Sequence, residues 1–127
     1  MGSQIRVLVV DDEPAIRDSL VEYLEDCQFD LYAAASAEHA LDLIARIPID
    51  VAVVDIRLPK LDGDSLIMQA HLLRPGLRFL IHTGSVEYKL PAELRSLGIT
   101  ADHVFLKPQM DLSVFDTAIN RLANAAN

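Results

Sequence analysis

Short apolar runs alternate along this chain with segments of helical period, and that alternation limits the fold more than any other feature. The runs are IRVLVV (5–10), DLYAA (30–34), VAVVD (51–55), LRFLIHT (77–83) and HVFL (103–106), recurring at intervals of roughly 25 residues. Between them lie Pro14 to Asp26, Ala37 to Ile47, Asp64 to Leu73, Pro91 to Leu97 and Leu112 to Ala123. Their apolar residues recur at helical spacing, as in Ile16, Leu20 and Leu24. Local signals mark the ends. Pro14 suits a first helical turn, Ser36 can cap the second helix, and Asp64 or Ser65 can start the third. Pro48, Pro75 with Gly76, and Gly98 are stops. Parallel strands need crossover connections, so β runs alternating with α runs imply an α/β fold: a doubly wound parallel sheet of five strands with helices on both faces. The unbroken VLVV supports this, because a strand covered on both faces has no polar side to show.

The chain has 127 residues, which suits one domain spanning residues 1–127, and 51% of them are hydrophobic, enough for a substantial core. A net charge of −8 argues against direct nucleic-acid binding, which demands clustered Lys and Arg. The lone cysteine, Cys27, cannot form an internal disulfide and is expected as a small buried hydrophobe near a helix end. No apolar run approaches a membrane span, and no charged leader followed by an apolar stretch opens the chain. The expectation is a soluble, cytoplasmic domain with no membrane partner. The opening MGS reads as a leftover of expression and the closing ANAAN as a frayed helix end or a cut linker.

In open parallel sheets, ligands bind outside the carboxyl ends of the strands, where strand order reverses. Four of those ends carry polar residues: Asp11 and Asp12, followed by Glu13, after the first; Asp55 after the third; Thr83 after the fourth; and Lys107 with Pro108 after the fifth. Asp55 sets the problem, since an ionised carboxylate at the end of an apolar run must escape to water or face a cation. Carboxylates converging on one edge repel one another, and a hard divalent cation among them relieves that repulsion. Mg2+ is the natural candidate. No His or Cys cluster suggests zinc: His39, His71, His82 and His103 lack ligand spacing and read as surface or packing residues.

The motifs VLVVDDEP, VVDIRLPKLDG, HTGS and FLKP, in this order and spacing, resemble the receiver domain of bacterial two-component response regulators over nearly the whole chain, from Ile5 to about Asn124. The resemblance implies a flavodoxin-like fold with strand order 2-1-3-4-5. It implies a phosphorylation-dependent signalling switch, not an enzyme with a separate substrate, in which Asp55 accepts a phosphoryl group from a phosphohistidine. The partner would be a histidine kinase or a histidine phosphotransfer protein. Asp11, Asp12, Asp55 and the backbone carbonyl of Arg57 would hold Mg2+, with Mn2+ as a substitute. Thr83 would hydrogen-bond the phosphoryl group, Lys107 would pair with it, and Gly84 and Pro108 would flank it, the Lys107–Pro108 bond commonly being cis in the family. An output domain is absent or removed, the downstream partner is not specified, and a homodimer stays open.

Each residue type has a physical reason to be there. A carboxylate can form an acyl phosphate, a cation offsets repulsion of the incoming anion, and phosphoryl transfer needs mainly positioning and charge stabilisation. Two other readings stand beside this one. One is a Mg2+-dependent aspartyl-phosphate phosphohydrolase with Asp11 as nucleophile and Glu13 as acid; the other is a pseudo-receiver that binds partners without phosphorylation. A nucleotide- or flavin-binding protein is disfavoured, because DDEP after the first strand repels phosphate.

One position departs from the family. Three residues before the strand-five lysine, receivers usually carry a Tyr or Phe ring that moves inward with the threonine; here Val104 stands. Phe105 faces the other side of the strand and cannot substitute. The expectation is that the loop from Gly84 to Leu90 and the short helix after Pro91, with Tyr88, carry the response instead.

Overall fold

The computed structural model describes residues 4–125. Met1 to Ser3, and the final two residues of the ANAAN tail, lie outside the described residues. Strands β1 (Arg6–Val10), β2 (Asp30–Ala34), β3 (Val51–Val54), β4 (Arg78–Thr83) and β5 (Val104–Leu106) alternate with helices α1 (Pro14–Asp26), α2 (Ala37–Arg46), α3 (Gly63–Leu73), α4 (Ala92–Arg95) and α5 (Ser113–Ala125). Every neighbouring pair of strands is parallel. The order across the sheet is β2-β1-β3-β4-β5, as the resemblance implies.

The period of two along each strand divides the core into layers. Val7, Val9, Val51 and Val53 face Leu20 and Leu24 of α1 and Phe115 and Ile119 of α5. Leu8, Val10, Ala52 and Val54 face Ala40 and Ile44 of α2, Leu66, Ile67 and Ala70 of α3, and Leu94 of α4. Both faces of the sheet are therefore apolar, which is why the strands read as unbroken runs. Each fully buried Leu or Ile contributes about 1.5–3 kcal/mol, so truncating Leu8 or Ile67 to Ala should cost roughly 2–5 kcal/mol.

Ser36 caps α2 as expected, accepting the His39 amide at 3.2 Å. The start of α3 differs. Asp62, not Asp64 or Ser65, is the cap, its carboxylate accepting the Ser65 amide at 2.8 Å, so the helix begins at Gly63. The fourth helix is shorter than the expected Pro91 to Leu97. Pro91 sits extended at its entry, and the amides of Leu97 and Gly98 turn back to Leu94 and Arg95, each at 3.0 Å, tightening the chain before Gly98 at φ +93°. The stretch expected as a plain loop before β5 contains a 3-10 turn, Ala101–His103, in which His103 Nδ1 accepts the Thr100 amide at 3.0 Å. Cys27 is half-buried at the end of α1. Among the described residues, no helix is long and apolar enough to cross a membrane.

Candidate functional site

β1 lies between β2 and β3, so the chain leaves the end of β1 in one direction along the sheet and returns on the other side for β3. A crevice opens at that reversal. The ladders carry the two key acids into it: the Asp11 amide donates to Ala34 O at 3.1 Å and the Asp55 amide to Val10 O at 2.9 Å. Both side chains are buried, at 3% and 4% exposure. Asp55 thus lies in a nearly enclosed position, not at the open edge that an unpaired carboxylate would need.

Lys107 supplies the cation. Its backbone amide donates to Thr83 O at 2.8 Å, which fixes the end of β5 beside β4. Its Nζ lies 2.8 Å from Asp11 Oδ2, 3.1 Å from Glu13 Oε1 and 3.3 Å from Asp55 Oδ2. Burial works against the ammonium, but these carboxylates outweigh it and hold the lysine above its ordinary pKa. For Asp55 the balance runs the other way: burial dominates and Asp11 adds to it, Lys107 and the Arg57 amide oppose it, and the carboxyl is pushed up to about 6. The Lys107–Pro108 peptide bond is cis.

The carboxylates of Asp11, Asp12, Glu13 and Asp55 each offer an oxygen, and these oxygens lie within 4.8 Å of one another. Asp12 and Glu13 are exposed, so the cluster opens to water on their side. An all-oxygen set of this kind fits a hard cation such as Mg2+, which accepts carboxylates and retains waters. The Arg57 amide donates to Asp55 Oδ1 at 3.2 Å, while its side chain is exposed. Thr83 is fully buried, and its Oγ1 accepts the Ser85 amide at 3.2 Å. A methyl group on Gly84 would meet nothing within 4 Å, so the space there is open. Val104 is half-buried against the α2–α3–α4 layer, whereas Phe105 packs on the α1–α5 layer with its ring 5.0 Å from that of Phe115. The two residues face opposite sides, as expected.

A family model described as the response regulator receiver domain matches residues 7–120. The chain belongs to that family. Among its relatives, the response regulator GtcR of Aneurinibacillus migulanus is 32% identical over 113 residues, covering 80% of this chain and 41% of that protein. Sporulation initiation phosphotransferase F of Bacillus subtilis is 27% identical over 103 residues, covering 81% of this chain and 82% of that protein. The crystal structure of a CheY-like response regulator receiver domain protein from Methanospirillum hungatei superposes with a TM-score of 0.85 at 32% identity, covering 98% of this chain and 97% of that one. This receiver domain spans less than half the length of several curated relatives, 41% in the case of GtcR.

Three contacts of this receiver escape a reading of its sequence. Glu13 is visible only as a third acid in a row, yet it shares Lys107, which lies 94 positions away. Gly63 looks like a bend residue, but a Cβ there would approach Ile56 Cα to 2.7 Å and the Asp55 carbonyl oxygen more closely still. His82 is buried beside Thr83 with no hydrogen-bond partner for Nε2, its ring edge-on to Phe115 at 4.9 Å. Burial, with Lys107 adding and Asp11 and Glu13 opposing, drives its pKa down to about 4, so the ring is neutral at physiological pH. Of the other histidines, His39 is exposed and His71 and His103 are half-buried.

Proposed function

We propose that this receiver is a phosphorylation-dependent switch whose acceptor is Asp55. The observation that carries the reading is the convergence of a buried Asp55 carboxylate, a Lys107 ammonium at 3.3 Å and an acidic cluster spanning 4.8 Å at the reversal of strand order. With its pKa near 6, Asp55 is mostly ionised at neutral pH and available as a nucleophile. A carboxylate oxygen of Asp55 forms a bond to phosphorus as the bond from phosphorus to the donor nitrogen breaks. The electron pair and a proton go to the leaving imidazole of a histidine kinase or histidine phosphotransfer protein. Hydrolysis of the acyl phosphate restores the carboxylate.

Asp11, Asp12 and Asp55, with the Arg57 carbonyl, would hold Mg2+, or Mn2+ in its place. When bound, the ion neutralises charge on the phosphoryl oxygens. Lys107 supplies the second positive charge and the Thr83 hydroxyl a hydrogen-bond donor, while Gly84 leaves room for the group and Pro108 directs the chain away. The domain on this reading comprises the chain from 1 to 127 and works through a protein surface, not through nucleic acid.

Incubation with a small phosphodonor tests the reading. Intact mass should show one phosphoryl group only when Mg2+ is present, and Asp55→Asn should remain unmodified. Full labelling of that variant at another residue would move the nucleophile and revive the phosphohydrolase mechanism with Asp11. No labelling in the presence of Mg2+ would leave a binding module that works without phosphorylation.

A further inference from the structure

Val104 leaves this domain without the aromatic ring that would follow Thr83 inward, so the signal needs another route out of the site. The contacts supply one. Thr83 Oγ1 accepts the Ser85 amide at 3.2 Å, Ser85 O accepts the Tyr88 amide at 3.3 Å, and the Tyr88 hydroxyl donates to Asp64 Oδ1 at 2.6 Å. Asp64 lies in the first turn of α3, next to the Gly63 that abuts the Asp55 backbone. The Tyr88 ring packs against the same core layer as Val104 and Leu90. This chain of contacts therefore begins at the residue that would bond the phosphoryl group and ends on the helix whose first residue touches the acceptor.

We propose that the Tyr88–Asp64 hydrogen bond is a latch that holds the β4–α4 loop in its unmodified position, and that phosphorylation of Asp55 releases it. The proposal rests on the switch reading above. Turning the Thr83 hydroxyl toward a phosphoryl oxygen carries Oγ1 away from the Ser85 amide and removes the tether at the start of the loop. The turn from Ser85 to Tyr88 then shifts and draws the phenol off Asp64. Release exposes a surface built from the loop, where Val86 is already 82% exposed, and the short α4. The latch is a charge-assisted bond in a half-buried setting, and burial together with Asp64 holds the Tyr88 phenol above its ordinary pKa. Such a bond keeps a loop closed without help from strand β5.

Amide exchange across residues 84–95 of the full chain, with and without Mg2+ and beryllofluoride as the phosphoryl mimic, tests this. Fluorine NMR reports independently whether the mimic has bound at Asp55. In the wild type the mimic should raise exchange at Ser85 to Leu90. Tyr88→Phe, which removes only the hydroxyl, should raise it roughly ten- to hundredfold without the mimic, and the mimic should add little. Asp64→Ala should give the same pattern, and combining the two should add nothing further. Bound mimic with unchanged exchange in the wild type, or wild-type exchange in unmodified Tyr88→Phe, would overturn the latch while leaving the switch intact. Failure of the mimic to bind at all would overturn both.

Discussion

Gly63 lies against the backbone of Asp55: its amide donates to Ile56 O at 2.9 Å, and a side chain of any kind would drive into the Asp55 carbonyl and into Ile56 Cα at 2.7 Å. The loop that leaves β3 is folded back so tightly that the first residue of α3 touches the Asp55 backbone. Both atoms in the way are backbone, so neither can swing aside. Gly63→Ala should destabilise the protein by about 1–3 kcal/mol in chemical denaturation and slow the labelling of Asp55 by a small phosphodonor. Unchanged stability together with an unchanged labelling rate would contradict the close approach.

Lys107 would compete with a bound metal ion for the same carboxylates. The ammonium lies 2.8 Å from Asp11, and Asp11 belongs to the oxygen cluster with Asp12, Glu13 and Asp55. Lys107→Ala should therefore raise Mg2+ affinity, by up to about tenfold, because a cation is removed from among the ligands. Asp12→Ala should lower it. Calorimetric titration of both variants checks the signs, and equal loss of affinity in the two would deny them separate roles.

His82 makes stability depend on pH. Its pKa falls from 6.5 in the unfolded chain to about 4 in the fold, so between those values the unfolded state binds more protons and stability rises with pH. The contribution is fully present above 6.5 and is lost as the pH falls through 4. Asp55 works in the opposite sense over part of this window: its raised pKa lowers stability as the pH rises through 6. Comparison with His82→Phe, which keeps an aromatic ring against Phe115, isolates the histidine. Relative to that variant the wild type should lose up to about 3 kcal/mol between neutral pH and pH 4. Parallel stability curves for the two proteins would show that the folded ring takes up its proton at the ordinary histidine pKa.

Much of this fold was legible in the sequence because its sheet is covered on both faces. Residues such as Val7 to Val10 have no solvent side, so the strands stand out as apolar runs, and the crossover helices between them show their own period. The acids were legible because a polar residue at the end of such a run has nowhere to hide. What stayed hidden depends on residues far apart in sequence. Nothing near Glu13 announces Lys107, nothing near Tyr88 announces Asp64, and the burial of His82 follows from Phe115 on a helix that folds over it. The start of α3 differs from the expected Asp64 or Ser65 for a related reason: DGDS offers two capping aspartates, and the choice of Asp62 goes with seating Gly63 on the Asp55 backbone.

Arg57 follows Asp55 by two positions, with its amide on Asp55 Oδ1 at 3.2 Å and its side chain exposed. A long cation there can screen the phosphoryl group and obstruct the water that hydrolyses it. Arg57→Ala should shorten the lifetime of the acyl phosphate several-fold while leaving its formation Mg2+-dependent. The dephosphorylation rate, followed by loss of the added mass after removal of donor, checks this. An unchanged rate would confine Arg57 to its backbone.

The central claim is that Asp55 itself carries the phosphoryl group, and chemical trapping tests it most directly. Borohydride reduction of an acyl phosphate on aspartate leaves homoserine, which peptide mass spectrometry locates. After transfer from a phosphorylated histidine donor in the presence of Mg2+, homoserine should be found at position 55 and nowhere else, and omission of Mg2+ should abolish it. Homoserine at position 11 or 12 instead, or full labelling with no reducible acyl phosphate, would contradict the account.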